Sequence, residues 1–400
     1  MRAGQVFFKD VYAGVLQEQP DGWVTFTYDD RFTGVIGCSL PRTTNVFKGS
    51  GPGQLHPFFQ HLAPEGWLRA TQARRAELSA EDDFGLLLAY GRDCIGAVSI
   101  QAEAKIVLPE GTGLTPETGA VSAERTVSGI QPKLLACAQD EKFYPATENS
   151  RADYIAKFSP DGIPDMILNE DISLRALRVL LGEKKPGDQV TQASRQILQG
   201  LEKPVFVVKR FDRTDANQKL RMEDFAQILG KPRGFGFEGK YNADFIEVID
   251  AIRTFSAIPE IDVFLFFQRL VAFVILGNCD CHLKNWSLLE SPFGLRLSPV
   301  YDVVSSIPYA ATHQVTTRFG LAINGRQFMW AEIDRSVLEK FGHDIGLKHG
   351  IIQREIDNQI GKMNKVLKII DAQGAIGQSS EGLRAAYNAA VIESCERIKA

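Results

Sequence analysis

Residues 277–289 read GNCDCHLKNWSLL, and they directly follow one of the most apolar runs of the chain, VFLFFQRLVAFVILG at 263–277. The stretch places an aspartate, a histidine, a lysine and an asparagine in quick succession where a buried helix is expected to end. Polar side chains beside a core are costly unless they are exposed, paired or bound to something. The stretch therefore predicts a group of polar residues that needs a partner.

The composition is typical of a globular protein with little electrostatic bias. The chain has 400 residues, of which 44% are hydrophobic, so it can bury a large core and is expected to form two or three structural units. Its net charge of -4 provides no overall basic field, which disfavours direct binding of nucleic acid. The six cysteines are scattered along the chain, a pattern typical of reduced thiols rather than of a disulfide framework.

The apolar segments do not indicate a membrane protein. The run at 263–277 is about fifteen residues long and contains Gln268 and Arg269, so it is too short and too polar to span a bilayer. The first residues, MRAGQVFFKDVYAG, have neither a long apolar core nor a small-residue cleavage site, so a signal peptide is not expected. We therefore expect a cytoplasmic protein with no membrane partner.

The predicted elements are sheet-rich first and helix-rich last, which indicates an α+β fold. Near the start, strand-like segments flank the turn signal QPDG at 19–22 and predict a small antiparallel sheet that opens with a hairpin. Residues 103–120 are rich in Pro, Gly, Thr and Glu and are interpreted as a linker. Further strand-like runs with one inserted helix precede a mostly helical remainder. The predicted segments are 1–105, 106–213 and 214–400.

The polar stretch at 277–289, which we call the polar loop, has the residue spacing of a phosphotransfer site. Asp280 and Asn285 are five positions apart, as are the catalytic aspartate and the magnesium-binding asparagine of protein-kinase loops. A strand-like run, GLRLSPVYDVVSS, brings Asp302 about twenty residues later, where such enzymes carry their main magnesium-binding aspartate. Mg²⁺ prefers hard oxygen ligands and keeps waters and phosphates in its shell. One carboxylate and one amide are therefore a suitable contribution from the protein.

Positive charge for nucleotide phosphates is expected from the sheet-rich part. Lys157, within DYIAKFSP, is predicted on a strand and is similar in place to the strand lysine of kinases. Upstream, TVSGIQPKLLA at 126–136 could cover phosphates, because Gly129 lets the backbone approach closely and Lys133 adds charge. This segment is neither a Walker loop nor a kinase G-x-G-x-x-G loop.

Several motifs, in family order over roughly residues 10 to 310, together resemble the HipA family of bacterial toxin-type serine/threonine kinases. They are FFQHLAPEGWLR, GRDCIGAV, SGIQPKL, VVKRFDR, RMEDFAQILG, GNCDCHLKNWSLL and LSPVYDVVSS. The resemblance implies an atypical two-lobed protein-kinase-like fold with a β-rich amino-terminal subdomain and an all-helical C-lobe. It also implies serine/threonine kinase activity with ATP and Mg²⁺ as cofactors.

The resemblance implies a role for each matching residue. Asp280 would be the catalytic base, Asn285 and Asp302 would hold the metal beside the nucleotide, and Lys157 would contact phosphates. The other implied nucleotide-binding residues are the phosphate loop of Ser128, Gly129, Ile130, Gln131, Pro132 and Lys133, the adenine hinge of Lys209, Arg210 and Phe211, and the lining residues His282 and Tyr301.

The resemblance also implies partners. The family's characterised members phosphorylate aminoacyl-tRNA synthetases, arrest translation and are held by a helix-turn-helix antitoxin that binds operator DNA. A HipB-like antitoxin and a synthetase substrate are therefore expected, with operator DNA contacted only through the antitoxin. Many members autophosphorylate a serine just before the phosphate-loop glycine, which expels the loop and silences the enzyme. Relatives often carry that serine where this chain has Thr126, so Thr126 and Ser128 are both candidates.

Other interpretations stand beside these. Cys279, Cys281 and His282 lack a second ligand pair at zinc-finger spacing, so the thiols are expected to be small buried fillers. Glu170 could pair with Lys157 as in kinases, or it could favour the first turn of a helix. The alternative to an active kinase is a nucleotide-binding scaffold that binds an antitoxin and acts as a co-repressor.

Some motif residues are expected to be structural. The aromatic residues Phe58, Phe59 and Trp67 are interpreted as core packing, because large aromatics dominate cores. Asp93 and Gly96, within GRDCIGAV, are interpreted as residues of a turn. Neither group is expected to take part in catalysis.

Overall fold

The chain forms two compact units in the computed structural model, which describes residues 1–103, 131–147, 150–163, 165–234, 239–372 and 381–400. The first unit contains Met1–Gly162 and Ser194–Gly239, and the second contains Ile163–Ala193 and Lys240–Ala400. Four predicted site residues lie outside the described residues: Thr126, Ser128, Gly129 and Ile130.

The first unit begins with an antiparallel sheet of β1 (Ala3–Phe8), β2 (Val11–Glu18), β3 (Val24–Tyr28), β4 (Val46–Lys48) and β5 (Val98–Ala102). The strand order is β4-β3-β2-β1-β5. Between β1 and β2, Lys9 and Asp10 have positive φ angles of 50° and 64°, as a two-residue hairpin turn with the twist of its strands requires. The predicted hairpin around QPDG is formed by β2 and β3, and the small antiparallel sheet is confirmed. The turn at Lys9 and Asp10, which divides one predicted strand-like segment into β1 and β2, was not predicted.

Helices α1 (Pro57–Gln60), α2 (Gly66–Arg75) and α3 (Asp83–Tyr90) connect β4 to β5. Phe58 and Phe59 are buried with their ring centroids 5.1 Å apart, and the Phe59 ring lies 5.2 Å from that of Phe26 on β3. Trp67 packs in a separate small cluster with Leu68. The prediction that these aromatic residues serve core packing is confirmed.

The first unit also contains a closed sheet of β6 (Lys133–Gln139), β7 (Lys142–Pro145), β8 (Tyr154–Lys157), β9 (Ala193–Leu198) and β10 (Lys203–Lys209), in the order β10-β8-β6-β7-β9. Leu134, Ala156 and Val207 are aligned across three neighbouring strands and share one buried cluster. Because side chains alternate between the two faces of a strand, the residues next to them point away from this cluster.

The chain after β8 contributes α4 (Met166–Leu181) to the second unit, and the chain after β10 completes the first unit with β11 (Met222–Asp224) and α5 (Phe225–Ile228). Asp224 and Gln227 form a capping box at the start of α5, each accepting a hydrogen bond from the backbone N–H of the other. Gln227 also donates to the carbonyl of Phe58, at 3.0 Å. The motif RMEDFAQILG therefore fastens α5 to the amino-terminal helices.

The second unit is mainly helical. Its further helices are α6 (Phe245–Phe255), α7 (Pro259–Leu276), α8 (Ile307–Ala310), α9 (Arg335–Asp344), α10 (His349–Ile360), α11 (Met363–Asp371) and α12 (Glu381–Lys399). Helix α7 is buried along most of its length and packs against α4, α6, α10 and α12. A helix that is apolar on all sides is expected to be central in this way. Among the described helices, none is long and apolar enough to cross a membrane.

The prediction of an all-helical C-lobe is wrong, because the second unit contains a β-hairpin. Strands β12 (Ser287–Ser291) and β13 (Gly294–Leu297) are antiparallel, with Leu288 opposite Leu297. The strand-like run GLRL needs a pairing partner for its backbone groups. The end of the polar loop and the residues directly after it form that partner strand, and Gly294 with a φ of 115° allows the tight turn between the strands.

The two observed units differ from the three predicted segments at α4. Residues 163–193 fall within the predicted segment 106–213, but they belong to the second unit because α4 packs against α7 and α11. An amphipathic pattern indicates that a helix has a buried face without indicating which element covers that face.

Candidate active site

The polar loop begins where α7 ends. Gly277 has a left-handed backbone with a φ of 67°, and its N–H donates to the last turn of the helix. Glycine is favoured at such a cap because a Cβ is strained at positive φ. A Cβ at this position would also lie 2.5 Å from a side-chain carbon of Ile307. The turn leads the chain directly from the buried helix to Asp280.

Asp280 is fixed by its backbone and exposed at its carboxylate. Its N–H donates to Oδ1 of Asn278 at 3.2 Å, and its carbonyl oxygen accepts from Nδ2 of Asn285 at 2.6 Å. The side chain is 56% exposed, and Oδ1 accepts a hydrogen bond from the hydroxyl of Tyr241 at 2.6 Å. The five-residue spacing thus lets the Asn285 side chain bond to the Asp280 backbone and fix the loop between them.

Tyr241 and His282 lie against the same carboxylate oxygen. Nε2 of the buried His282 is 3.8 Å from Oδ1 of Asp280, and the imidazole packs edge-on against the Tyr241 ring with centroids 4.8 Å apart. Tyr241 was not predicted, because it lies 39 positions before Asp280 and no local spacing connects them. The glycine-rich run GFGFEG at 234–239, just before it, is the feature that could have drawn attention to it.

Cys279 and Cys281 are packing residues. Both are buried, and burial raises the pKa of Cys279 to about 12 and the pKa of Cys281 well above its ordinary value. Gly320 lies so close that a Cβ on it would be 2.7 Å from the carbonyl carbon of Cys281. The prediction of buried thiols is confirmed.

The segment that carries Asp302 is fastened to the polar loop on its amino-terminal side. The hydroxyl of Tyr301 donates to the carbonyl of Lys284 at 2.8 Å and also forms a hydrogen bond with Ser287. Asp302 itself has a φ of 56°, a left-handed conformation that aspartate tolerates better than most residues. Tyr301 therefore holds the loop by its hydroxyl.

The same segment is fastened on its carboxyl-terminal side. The N–H of Ser306 donates to the carbonyl of Gly277 at 2.8 Å, and Ser306 Oγ accepts from the N–H of Cys279 at 3.2 Å. Asn169 of α4 clamps Ser305, donating from Nδ2 to its carbonyl at 3.0 Å and accepting from its N–H at 2.8 Å. Both ends of the Asp302 segment are thus tied within the second unit.

Asn169 is a second residue that sequence reasoning did not single out, although it stands in LNEDISL beside Glu170. Both are fully buried in α4. The pairing of Glu170 with Lys157 stays a prediction.

The donor atoms on these two loops fit a hard cation such as Mg²⁺. Asp302 offers a carboxylate, and Asn285 uses its amide nitrogen for the Asp280 carbonyl, which leaves its amide oxygen as the end suited to a metal. In the described part of the chain, no group of three or more His, Cys, Asp or Glu side chains could hold a metal. Such a small protein donor set is typical of Mg²⁺, which completes its shell with waters and substrate phosphates.

In the first unit, Lys157 and Lys133 are direct partners on the neighbouring antiparallel strands β8 and β6. Both are buried, with 5% and 3% of the residue exposed. Side chains paired in this way share a face with Cβ atoms about 5 Å apart. Two positively charged side chains on one face of the sheet favour negative charge beside them. The pair is therefore suited to an anion.

Lys133, the last residue of the predicted phosphate loop, is also the first residue of strand β6, in which the apolar run LLACA follows it. Pro132 and Gln131 continue this pairing: the carbonyl of Pro132 accepts from the N–H of Phe158 at 2.8 Å, and Nε2 of Gln131 donates to the Phe158 carbonyl at 3.0 Å. Gln131 and Pro132 are thus joined to Phe158 by one side-chain and one backbone hydrogen bond.

The predicted hinge begins at the end of β10. Nζ of Lys209 donates to Asp215 at 3.1 Å, and Phe211 is half-buried. The N–H of Arg210 donates to the carbonyl of Asp153 at 2.8 Å. A backbone contact between Arg210 and a nucleotide would therefore use its carbonyl oxygen.

The side chain of Arg210 belongs to a buried ion cluster, which we define as Asp93, Arg210, Asp212 and Arg213. Asp212 Oδ2 lies 2.8 Å from Nη2 of Arg210 and 2.9 Å from Nη1 of Arg213, and both arginines also contact Asp93. The N–H of Gly96, which has a φ of 83°, donates to Asp212 at 2.7 Å. The cluster thus joins the motifs GRDCIGAV and VVKRFDR, with Gly96 in a turn as predicted.

The charges within the ion cluster support one another. Burial disfavours the ionised form of Asp212, but Arg210 and Arg213 outweigh it and hold the pKa of Asp212 below its ordinary value. Burial likewise disfavours the charged form of Arg210, and Asp212 and Asp93 nevertheless raise its pKa. Two positive and two negative side chains balance, which makes burial of Arg210, Asp212 and Arg213 beside the half-buried Asp93 tolerable.

Comparison with known proteins links both units to one family. Residues 125–368 match the HipA-like C-terminal domain, and residues 4–101 match the HipA N-terminal domain. The chain is 32% identical over 269 residues to the candidate kinase Y4dM of Sinorhizobium fredii, a match that spans 63% of this chain and 63% of that relative. It is 25% identical over 385 residues to the serine/threonine-protein kinase toxin HipA of Shewanella oneidensis, covering 86% of this chain and 84% of the relative.

A solved structure shows the same fold. A chain of the Shewanella oneidensis MR-1 complex of HipA, HipB and operator DNA matches with a TM-score of 0.76 at 19% sequence identity. The match covers 99% of this chain and 97% of that chain. At this identity the likeness concerns the mixed α/β fold alone.

Proposed function

This chain belongs to the HipA family, and we propose that it is a serine/threonine protein kinase that transfers the γ-phosphate of ATP to a protein hydroxyl. The observation that carries the proposal is Asp280, an exposed carboxylate whose backbone is hydrogen-bonded at both its N–H and its carbonyl. A carboxylate held in this way can accept a proton from an incoming hydroxyl with little reorganisation. The name of the Shewanella relative agrees with this activity.

The remaining residues take the roles that their chemistry supports. Asp302 and Asn285 would hold Mg²⁺, and the buried Lys157 and Lys133 would attract the nucleotide phosphates. When bound, Mg²⁺ neutralises charge on the transferred phosphate. Asp280 would orient the acceptor hydroxyl and take its proton.

The other predicted residues would border the nucleotide or hold the loops around it. Lys209 and Phe211 would lie near the adenine, and Gln131 and Pro132 would border the phosphate loop. His282 would line the site through its contact with Asp280. Because the hydroxyl of Tyr301 is already bonded to Lys284, its main role would be to hold the polar loop.

The proposal includes a toxin role. One relative is named a toxin, and the matching solved structure contains HipB and operator DNA. A HipB-like antitoxin is therefore the proposed partner, and the net charge of -4 favours contact with DNA through that partner. An aminoacyl-tRNA synthetase is the proposed substrate, and growth arrest through translation is the proposed effect. Thr126 and Ser128 are the proposed autophosphorylation sites.

The kinase proposal is tested by incubating the wild type and an Asp280→Asn variant with Mg-ATP, followed by intact mass measurement and peptide mapping of residues 121–133. Phosphate on Thr126 or Ser128 of the wild type alone is expected, because asparagine cannot accept the proton. Equal phosphate on both proteins would exclude Asp280 as the base. Nucleotide binding without phosphate on either protein would favour the co-repressor scaffold.

The toxin role needs a separate test in cells. Expression of the wild type from an inducible promoter should arrest growth, and expression of Asp280→Asn at the same level should not. Arrest by both proteins would show that the effect does not depend on phosphotransfer. Rescue by co-expression of a helix-turn-helix protein that co-purifies with the chain would identify the antitoxin.

A further inference from the structure

Asp280 presents its two carboxylate oxygens differently. Oδ1 accepts a hydrogen bond of 2.6 Å from the Tyr241 hydroxyl, and Nε2 of His282 lies 3.8 Å from the same atom. Among the described residues, none donates a hydrogen bond to Oδ2, and the side chain is 56% exposed to solvent. The carboxylate is therefore held at one oxygen and open at the other.

Tyr241 is itself held in place for this contact. Its ring packs edge-on against the buried imidazole of His282, with the two ring planes at 82°. The ammonium group of Lys240 lies 5.5 Å from the ring centroid, a cation–π contact. A rigid ring fixed by two neighbours places its hydroxyl with little loss of conformational freedom. The contact to Oδ1 is thus built into the fold of the second unit.

We propose that Tyr241 is a positioning residue for phosphotransfer: its hydroxyl fixes Asp280 through Oδ1 so that Oδ2 receives the proton of the acceptor hydroxyl. This inference rests on the proposed kinase function. In the step, the acceptor oxygen forms a bond to the γ-phosphorus while the bond from that phosphorus to the β,γ-bridging oxygen breaks. ADP leaves with the electron pair, and the acceptor proton moves to Oδ2 of Asp280.

The physical need for a positioning residue follows from exposure. An exposed aspartate can occupy several side-chain rotamers, and only one presents Oδ2 to the acceptor. A strong hydrogen bond from a fixed phenol to the ionised carboxylate selects that rotamer. Because the phenol bonds to the base, its loss lowers the rate of the chemical step and leaves binding of the nucleotide unchanged.

The test compares autophosphorylation rates over a range of ATP concentrations for the wild type and for Tyr241→Phe, Asp280→Asn and Tyr28→Phe. Tyr241→Phe deletes the hydroxyl and keeps the ring against His282. Its maximal rate is expected to fall about tenfold with an unchanged half-saturating ATP concentration. The matched control, Tyr28→Phe, removes a buried hydroxyl that donates to Leu40 in the first unit, and it should keep the wild-type rate.

A second measurement tests the contact without using activity. Thermal unfolding of Tyr241→Phe is compared in the wild-type background and in the Asp280→Ala background. If the hydroxyl bonds to the carboxylate, the phenylalanine lowers Tm by about 1 °C more in the wild-type background. Equal shifts in the two backgrounds would overturn the inference, because the hydroxyl would then have no specific link to Asp280.

Failure of the inference and failure of the kinase proposal look different. An active wild type, an inactive Asp280→Asn and a Tyr241→Phe with the wild-type maximal rate would overturn the inference alone. An unchanged maximal rate with a raised half-saturating ATP concentration would overturn it as well, since Tyr241 would then act on the nucleotide. No phosphotransfer by the wild type, or full activity of Asp280→Asn, would overturn the kinase proposal and the inference with it.

Discussion

The ion cluster of the first unit and Asp280 in the polar loop of the second unit both belong to family motifs, yet the arginines and Asp212 of the cluster are buried and the Asp280 carboxylate is exposed. In the cluster, the side chains of Arg210 and Asp212 are 1% and 3% exposed and each lies beside an opposite charge. In the loop, Asp280 is 56% exposed and is bonded to a phenol. Buried balanced charges hold structure, whereas an exposed carboxylate on a fixed backbone is available for chemistry. Membership in a motif therefore does not by itself indicate a catalytic role.

The largest expected effect is on activity in the polar loop. Asp280→Asn should lower the phosphotransfer rate by about 10³-fold, because a positioned general base contributes about 10² to 10⁴. The same change should leave Tm within about 1 °C of the wild type, since an exposed site tolerates substitution. Initial rates with Mg-ATP and a thermal melt on one preparation check both parts. A large decrease in Tm would show that Asp280 has a structural role like that of the ion cluster, which would contradict the contrast between the two regions.

The next largest effect is on stability in the ion cluster. Arg210→Met leaves the two aspartates with a single arginine, and loss of one partner from a buried ion pair costs about 3 to 5 kcal/mol. Urea unfolding monitored by tryptophan fluorescence should show this loss. The matched control is Arg31→Met, which removes an exposed arginine paired with Asp29 and should leave the free energy of unfolding nearly unchanged. Similar losses for both variants would contradict a structural role for the cluster.

A smaller effect concerns pH. The pKa of Asp212 is lower in the folded protein than its ordinary value of about 3.9, so pairing stabilises the fold while the carboxylate is ionised. This contribution is fully present above about pH 4 and is lost as the pH falls through the lower folded pKa. The free energy of unfolding should therefore fall more steeply below about pH 4 in the wild type than in Asp212→Asn. Parallel curves from urea titrations at each pH would count against it.

Local patterns in the sequence predicted much of the fold and part of the site. The hairpin around QPDG, the strand that carries Lys157 and the buried thiols Cys279 and Cys281 all follow from local alternation, spacing or composition. The separation of Asp280 from Asn285 spans a single loop, so their hydrogen bond is also a local feature. Features that depend on residues close in sequence could therefore be predicted from the sequence alone.

The long-range contacts that hold the site could not be predicted from the sequence alone. Tyr241 meets Asp280 across 39 positions, and Asn169 meets Ser305 across 136 positions, so no periodicity links either pair. The assignment of α4 to the second unit depends on which helices cover it, and the pairing of Lys133 with Lys157 depends on which strands are neighbours. Tertiary packing decided all of these, and a single sequence contains no direct record of it.

The smallest expected effect concerns Tyr301, a half-buried residue whose hydroxyl holds the polar loop. Tyr301→Phe removes the hydrogen bonds to Lys284 and Ser287, which should cost about 1 kcal/mol of stability. A looser loop positions Asp280 less well, so the maximal rate should fall about threefold with an unchanged half-saturating ATP concentration.

Rate and ATP dependence together decide the role of Tyr301. Tyr28→Phe is again the control, because it loses a buried hydroxyl of similar bonding in the first unit and should match the stability loss without the loss of rate. A raised half-saturating ATP concentration for Tyr301→Phe would instead mean that Tyr301 contacts the nucleotide, as its family resemblance implies. Tyr301 would then belong to the residues that contact the substrate instead of to those that hold the loop.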